Sequence, residues 1–334
     1  MVWETPHLPD ETVEKRTGRN DSRRHDETRW GVEPLSSAPP RVLVVGGGPG
    51  GMAAAIWARR LGLRVELLEA RRQLGGQLRG VLSPITDYPG IRDVDGPSLA
   101  ARFVEHLGET GVRIRLASRV AALDPERGTL VTATGERLRG DAIVLATGAK
   151  RRRLGVAGER RYVGRGVSYS VSKDRARVAG SATVIVGGGD SAVEGAVRLA
   201  ELCPRVHLVH RGALTARPDF VARAKREPRV RWHPGRHVTA LGGDGRLELV
   251  VLDDGERIAC RALFVRIGVE PDTAFARASL PCDVHGFLTV DAEQRCRGVV
   301  YAVGDVCSPG AMAVSMATGQ AFVACKAIQS HWRG

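Results

Sequence analysis

After residue 40 the chain is punctuated by short apolar runs bounded by glycines and charges, and these runs fall into two sets with one layout. Arg41 to Val45 (RVLVV) is dominated by β-branched residues, long enough for one buried strand and too short for a helix. MAAAIWARRLG follows with helical spacing, and VELLE (65–69) is a second strand. The pattern then repeats: SATVIV (181–186) is a strand, VEGAVRLAEL a helix and RVHLVHR the next strand. Between the two sets, SLAARFVEHLGET (98–110) predicts a helix with a serine cap. VRIRLASRVAAL and TLVTATGERL predict two strands separated by a hairpin-type break at DPERG. DAIVLATGA (141–149) predicts a buried strand running into a glycine turn. Later, ALFVRIGVEPDT (262–273) predicts a strand leading back to the first set, VVYAVGDV (299–306) a strand ending at Gly304-Asp305, and the region from about 312 to 328 a final helix. The second set is thus inserted into the first.

Both sets join strand to helix through glycine. Gly46, Gly48 and Gly51 form G-x-G-x-x-G, where the first glycine permits a tight turn, the second lets backbone approach a pyrophosphate and the third lets helix and strand pack closely. The helix N-terminus adds free N–H groups and partial positive charge. Glu69, 23 residues after Gly46, stands where a carboxylate accepts hydrogen bonds from a ribose 2′-OH. In LGGQLRG (74–80) the glycines allow backbone to lie against a flat ligand and Gln77 offers an amide to a ring edge, while Gly148 suits a return to the nucleotide. Gly187, Gly189 and Ala192 give G-x-G-x-x-A, a form used for NAD(P). The strand after it ends in His210-Arg211; arginine there can pair with the 2′-phosphate of NADPH, whereas a carboxylate would favour NADH. One nucleotide fold is a module. Two in one chain point to electron transfer between two cofactors.

The length of 334 residues fits two domains, and 43% hydrophobic residues is ample for their cores. No apolar run reaches the roughly 18 residues of a membrane helix and no signal-like segment opens the chain, so a cytoplasmic protein is expected. Six scattered cysteines contain no C-x-x-C, which removes the usual redox motif and the usual zinc spacings; no metal site is expected. Net charge is +13, nearly all from arginine. Coding bias plus solvated surface is the plain reading, and an electropositive face for an acidic partner or phosphorylated cofactors is the sharper one. Aromatics at 4% and no recognisable module argue against nucleic acid. Residues 1–40, rich in charges of both signs and closed by Pro39-Pro40, are expected to be a disordered tail.

The motifs GGGPGG, Glu69, GGQL, DYPG, ATGA, GGGDSA, VHR, IGVEP and VGDV occur in the order found in low-molecular-weight thioredoxin reductases, and from residue 41 to about 330 the chain resembles that family. The resemblance implies an α/β fold of two Rossmann-like nucleotide-binding domains: an FAD domain from residues 41–152 and 270–334, and an NAD(P)H domain, 153–269, inserted into it. It implies a homodimer. It also implies FAD contacts at Gly46, Gly48, Gly51, Glu69, Gln77, Gly148, Gly304 and Asp305, and nicotinamide-nucleotide contacts at Gly187, Gly189, Ala192 and Arg211, with NADPH the expected nucleotide and NADH the alternative.

The departures bear on function. Thioredoxin reductases carry C-x-x-C followed by Asp after a G-V-S segment; here that place reads GVSYSVSKD (166–174), with Ser170 and Lys173 at the cysteine positions and Asp174 retained. No dithiol means no thiolate to attack a disulfide. The segment is similar to that of ferredoxin–NADP reductases of the thioredoxin-reductase type, which implies electron delivery to an acidic protein such as ferredoxin or flavodoxin, or to a small-molecule acceptor. Lys173 and Asp174 are the catalytic candidates, as a pair beside the flavin with Asp174 a proton donor, or else an exposed ion pair of little worth. The NADPH arginine signature is incomplete, with Gly212 in place of one arginine and Arg217 shifted by one position. Two further readings remain open: a flavin oxidase acting with oxygen on a small, thiol-type substrate, and a non-catalytic redox-sensing flavoprotein. Cys307 reads as a buried thiol, Trp332 as a residue for a flavin ring or a dimer interface, and Lys150 to Arg153 as solvated surface.

Overall fold

The computed structural model describes residues 38–82, 84–85, 87–91 and 93–333. The expected tail lies outside them except for residues 38–40, as does Thr86 of the TDYPG stretch. No described helix is long and apolar enough to cross a membrane.

Two mainly parallel sheets organise the chain. The first has strand order Arg295–Arg297, Val300–Ala302, Ala142–Leu145, Arg41–Val45, Arg64–Leu68, Arg113–Arg115, antiparallel only at the Arg295–Arg297 edge. The second has order Val230–Pro234, Val206–His210, Thr183–Val186, Ala262–Val265, Val167–Ser168, and is parallel throughout. In each, the strand that feeds a glycine turn has neighbours on both sides. Such a position is a switch point, where crossovers leave in opposite directions and open a crevice at the carboxyl ends of the strands.

Strand alternation explains why these segments are buried on both faces. Val42 and Val44 point to helix Pro49–Arg60, packing with Met52, Ala55 and Ile56, whereas Leu43 and Val45 point the other way to Leu130 and Leu138. Those last residues come from an antiparallel sheet of strands Val120–Asp124, Thr129–Thr132 and Arg137–Arg139. The second half repeats this plan: Ile185 packs with Ala192, Ala196 and Leu199 of helix Asp190–Ala200, and Val184 and Val186 pack with Val250 and Ile258 of a second three-stranded antiparallel sheet. The chain crosses between the halves on an antiparallel ribbon, Ala149–Arg151 against Val269–Pro271.

Five expectations change. TLVTATGERL is two strands, Thr129–Thr132 and Arg137–Arg139, and ALFVRIGVEPDT likewise divides into Ala262–Val265 and Val269–Pro271. VRIRLASRVAAL is two strands, not one: Arg113–Arg115 joins the first parallel sheet and Val120–Asp124 the antiparallel one, with Ala117 at φ +55° turning the chain between them. Helix Gly96–Gly108 starts earlier than expected and is capped by Asp95, whose carboxylate accepts from the Ser98 N–H at 2.8 Å, so the serine is a cap recipient. The last helix runs from Val314 to Arg333, longer than expected, and Trp332 packs half-buried against the first-half core.

Candidate active site

The first glycine turn is shaped by close approach. Gly46 has φ +108°, and a side chain there would fall on the Ala146 carbonyl; one at Gly51 would fall on the Gly46 carbonyl oxygen. The strand, the turn and the helix therefore touch through backbone, which only glycine permits. Gly48 differs. A Cβ at Gly48 would meet nothing closer than Gly76 Cα, 3.9 Å away, so its outer side is open. Glu69 is buried at the end of the second strand, its two carboxylate oxygens accepting from the Gly47 N–H at 2.6 Å and the Arg71 N–H at 2.7 Å.

Gln77 and Asp305, 228 positions apart, meet in a 2.6 Å hydrogen bond from the Gln77 amide to the Asp305 carboxylate. Burial pushes the Asp305 carboxyl above the usual range, opposed by that bond and by the charge of Arg151. Gly304 donates its N–H to Gln320 at 2.8 Å. Gln77, Arg151, Gly304 and Asp305, with Gly46, Gly48, Glu69 and Gly148, line a cleft of about 490 Å³ at the carboxyl ends of the first sheet. Gly51 lies beneath the turn and holds its shape.

A second cleft of about 750 Å³ adjoins it, with Gly76, Gln77 and Arg151 in both walls. Its far wall is the segment 163–174 and the helix face Ser191, Glu194, Gly195 and Arg198. Ser170 caps the turn Val171–Asp174, accepting from the Lys173 N–H at 3.4 Å. Lys173 is exposed and does not pair with Asp174, because adjacent helical residues point about 100° apart. Asp174 accepts from the Ser168 hydroxyl at 2.7 Å, and its other oxygen lies 3.3 Å from Arg177. The expected Lys173–Asp174 pair is thus replaced by a Ser168–Asp174–Arg177 arrangement.

Glu159, at 2% exposure, anchors this segment, and the sequence reading missed it. It accepts from the Leu154 and Gly155 N–H groups at 3.0 and 2.8 Å and from the Tyr169 hydroxyl at 2.7 Å. Burial and that hydrogen bond push the Tyr169 phenol well up. Arg266 donates to the Tyr169 carbonyl at 2.9 Å. The signal for Glu159 was weak, a single acid within AGERRY. Arg266 was more legible, the one charge ending an otherwise apolar strand.

The second glycine turn is bordered by a neighbouring loop. Gly187 abuts the Arg266 carbonyl and the Ala192 side chain, as the G-x-G-x-x-A spacing requires. The Gly188 carbonyl accepts from both the Thr215 and Ala216 N–H groups, at 2.9 and 3.1 Å, so residues 213–216 lie beside the turn. Arg217 is held by Asp190 at the start of the helix, 3.1 Å away, and lies over the Phe220 ring. Arg211 is exposed at the strand end, without an ion pair among the described residues. Gly187, Gly189, Ala192 and Arg211 lie together here, but Gly187 and Gly189 do not line the 750 Å³ cleft.

Cys307 donates to the Gly304 carbonyl, and burial pushes its thiol up to about 11. It has the character of a packed thiol.

The sequence pattern of the pyridine nucleotide-disulphide oxidoreductases matches residues 40–321. The chain belongs to this family. Within it, the chain is 33% identical over 303 residues to a component of the alkyl hydroperoxide reductase of Pseudomonas putida, covering 87% of this chain but only 58% of that protein. It is 31% identical over 299 residues to the thioredoxin reductase of Listeria innocua, covering 87% and 93%. Among solved structures it is similar to Lactococcus lactis thioredoxin reductase in its FR conformation, with TM-score 0.72, 28% identity and coverage of 87% and 98%. It is also similar to the T. acidophilum enzyme, with TM-score 0.71, 26% identity and coverage of 89% and 100%. As a member of the family the chain is an oxidoreductase of two Rossmann-type units.

Proposed function

We propose that this protein is an FAD-dependent NAD(P)H oxidoreductase that delivers electrons to an external acceptor without an active-site dithiol. Residues 41–152 and 270–334 form the flavin part in this reading, and 153–269 the nucleotide part. The residues fit FAD. The open side of Gly48 leaves room for phosphates, the helix after it supplies N–H groups, and the buried Glu69 and half-buried Asp305 present carboxylate oxygens to hydroxyls. FAD bound there would supply hydride acceptance and onward electron transfer. The protein's share is to hold, orient and exclude water: Gln77 fixes Asp305, Gly148 leaves space for a flat ligand, and Ser168 keeps the Asp174 carboxylate toward the cleft.

The observation that carries this reading is the wall of the 750 Å³ cleft. Ser170 and Lys173 stand there where relatives of the thioredoxin-reductase type carry cysteines, and the cleft runs directly into the proposed flavin site through Gly76, Gln77 and Arg151. An acceptor entering this cleft reaches the flavin site without a thiol relay. Arg79, Arg177 and Arg198 around it suit a negatively charged acceptor, whether an acidic protein such as ferredoxin or flavodoxin or a small molecule. A homodimeric, cytoplasmic enzyme belongs to the same proposal.

The incomplete arginine signature after the second glycine turn, with Gly212 in place of one arginine, favours one alternative: an oxidase whose nucleotide part has lost its cofactor and whose flavin is reoxidised by oxygen. Anaerobic titration of the purified protein with NADPH and then NADH, followed by flavin absorbance, decides between them. Bleaching by NADPH is the expected result. Absence of bleaching with either nucleotide would leave the oxidase reading in its place.

A further inference from the structure

We propose that Arg151 and Arg266 form a seat for the anionic group, carboxylate or phosphate, of a small-molecule electron acceptor bound in the 750 Å³ cleft. This rests on the reading above and names the acceptor's chemistry.

The two arginines come from different halves of the fold. Arg151 ends one strand of the connecting ribbon, opposite Val269, and Arg266 follows strand Ala262–Val265 in the second sheet. Both line the same cleft. Arg266 is fixed in place: its backbone N–H donates to Val186 at 2.8 Å and its guanidinium to the Tyr169 carbonyl at 2.9 Å. Its Nε is shut off from solvent and has no hydrogen-bond partner among the described residues. Neither guanidinium has a carboxylate oxygen within 4 Å among those residues, although neighbouring Lys150 lies 3.5 Å from Glu270 and 3.9 Å from Asp272. The fold pairs the outward-facing Lys150 with carboxylates and leaves Arg151 and Arg266, on a cleft wall that also carries Asp174 and Glu194, without a direct ion pair among the described residues.

Burial, and then the charge of Arg151, lower the pKa of Arg266 to about 10, with only Glu194 opposing. Burial also lowers Arg151, with Asp305 opposing. With Nη1 on the Tyr169 carbonyl and Nε shut off from solvent, Arg266 keeps Nη2 as its remaining donor group, while the exposed Arg151 offers a planar fork that matches carboxylate or phosphate oxygens in pairs. The cleft's size selects the kind of ligand. It lies within the range of small-molecule sites, roughly 300–1,000 Å³, whereas a stable protein partner needs about 800 Å² of its own surface to reach the contact. Gly187 and Gly189 do not line this cleft, although Ser191 and Glu194 of the helix that follows them do.

The test is calorimetric titration of the purified, flavin-loaded protein with malonate and with inorganic phosphate at constant ionic strength. Saturable binding of at least one probe is expected, weakened at least tenfold in both Arg151→Gln and Arg266→Gln and unchanged in Arg160→Gln, an exposed arginine outside the cleft. Arg266→Gln loses the hydrogen bond to the Tyr169 carbonyl together with the cation, so its melting temperature is recorded beside its affinity. Arg151→Gln, at an exposed residue, provides a second variant should the first fail to fold. NADP⁺ titrated into the same variants separates the sources of the anion. Affinity for NADP⁺ unchanged within twofold assigns the seat to the acceptor. Competition between NADP⁺ and the probe, with equal losses in the variants, overturns the proposal in favour of a nucleotide phosphate. No saturable binding, or equal binding by parent and variants, also overturns it. Flavin reduction by NADPH is measured separately: reduction without anion binding sinks only this inference, and anion binding without reduction sinks only the wider reading.

Discussion

The protein builds strand, glycine turn and helix twice and surrounds the two copies differently. At the first, chain from distant positions gathers around an open turn: Gly76 lies beside Gly48, and Gln77 joins Asp305 at the cleft floor. At the second, residues 213–216 bond to the Gly188 carbonyl and lie beside the turn, with Arg217 tied to Asp190. The local motif is the same in both. What it can hold depends on the neighbouring segments, whose positions are set by contacts far away in sequence.

Substitution at the turns is the strongest way to break this comparison. Gly46→Val imposes a side chain at φ +108° and drives it into the Ala146 carbonyl, a combined strain and overpacking cost of about 4 kcal/mol. Little soluble, yellow protein is expected on expression. Gly189→Ala meets nothing closer than Thr215 Oγ1 at 3.6 Å, so flavin content and melting temperature should stay as in the parent while nucleotide affinity alone changes. Equal damage from both would mean the two turns do the same work.

Glu159→Ala comes next. It strands two backbone N–H groups and the Tyr169 hydroxyl, and a loss of about 3 kcal/mol is expected in urea unfolding. Acid should act specifically on the second half. His207 is lowered to about 4 by burial, then by His233 and Arg231, with Glu256 opposing and Arg205 adding to the repulsion. His233, 3.0 Å away, is lowered too, chiefly by burial. The folded state therefore keeps these rings neutral. Their contribution is complete above about pH 6.5, the unfolded value, and is lost as pH falls toward 4. A stability loss of about 2 kcal/mol over that window, reduced in His207→Asn, would locate it.

Asp305→Asn keeps the hydrogen bond's geometry but removes the charge, and should weaken FAD about tenfold in a reconstitution titration. The smallest effect belongs to Arg211→Ala. An exposed ion pair with a 2′-phosphate is worth at most about 1 kcal/mol, so NADPH should weaken up to about fivefold and NADH not at all.

The fold was legible from residue type and spacing, because buried parallel strands must be short apolar runs and glycine must stand where backbones touch. Gly46, Gly51 and Gly187 meet neighbouring backbone where the motif requires it, for that reason. The site was legible in part. Gln77 and Asp305 each carried a local cue, but their bond is a product of the closed sheet. Arg151 was hidden inside a run of basic residues that reads as surface, and its exposure to two clefts follows from the ribbon register. Glu159 lacked even that much, since a lone acid gives no sign of the three donors that fold around it. The Lys173–Asp174 pair failed on helix geometry. Adjacency in sequence is not adjacency on a helical turn.

The connecting ribbon has one more consequence. Arg151 and Val269 are ladder partners, so the chain leaves one sheet and returns to it at neighbouring points, roughly 5 Å apart. The 117 residues between them hang from a single doorway. A short turn joining those two positions would close the remaining chain with almost no detour, and a different cassette could be spliced there without moving the first sheet. Topologically the second sheet is a detachable accessory, and evolution or an engineer could exchange it while leaving the cleft of the first sheet as it stands.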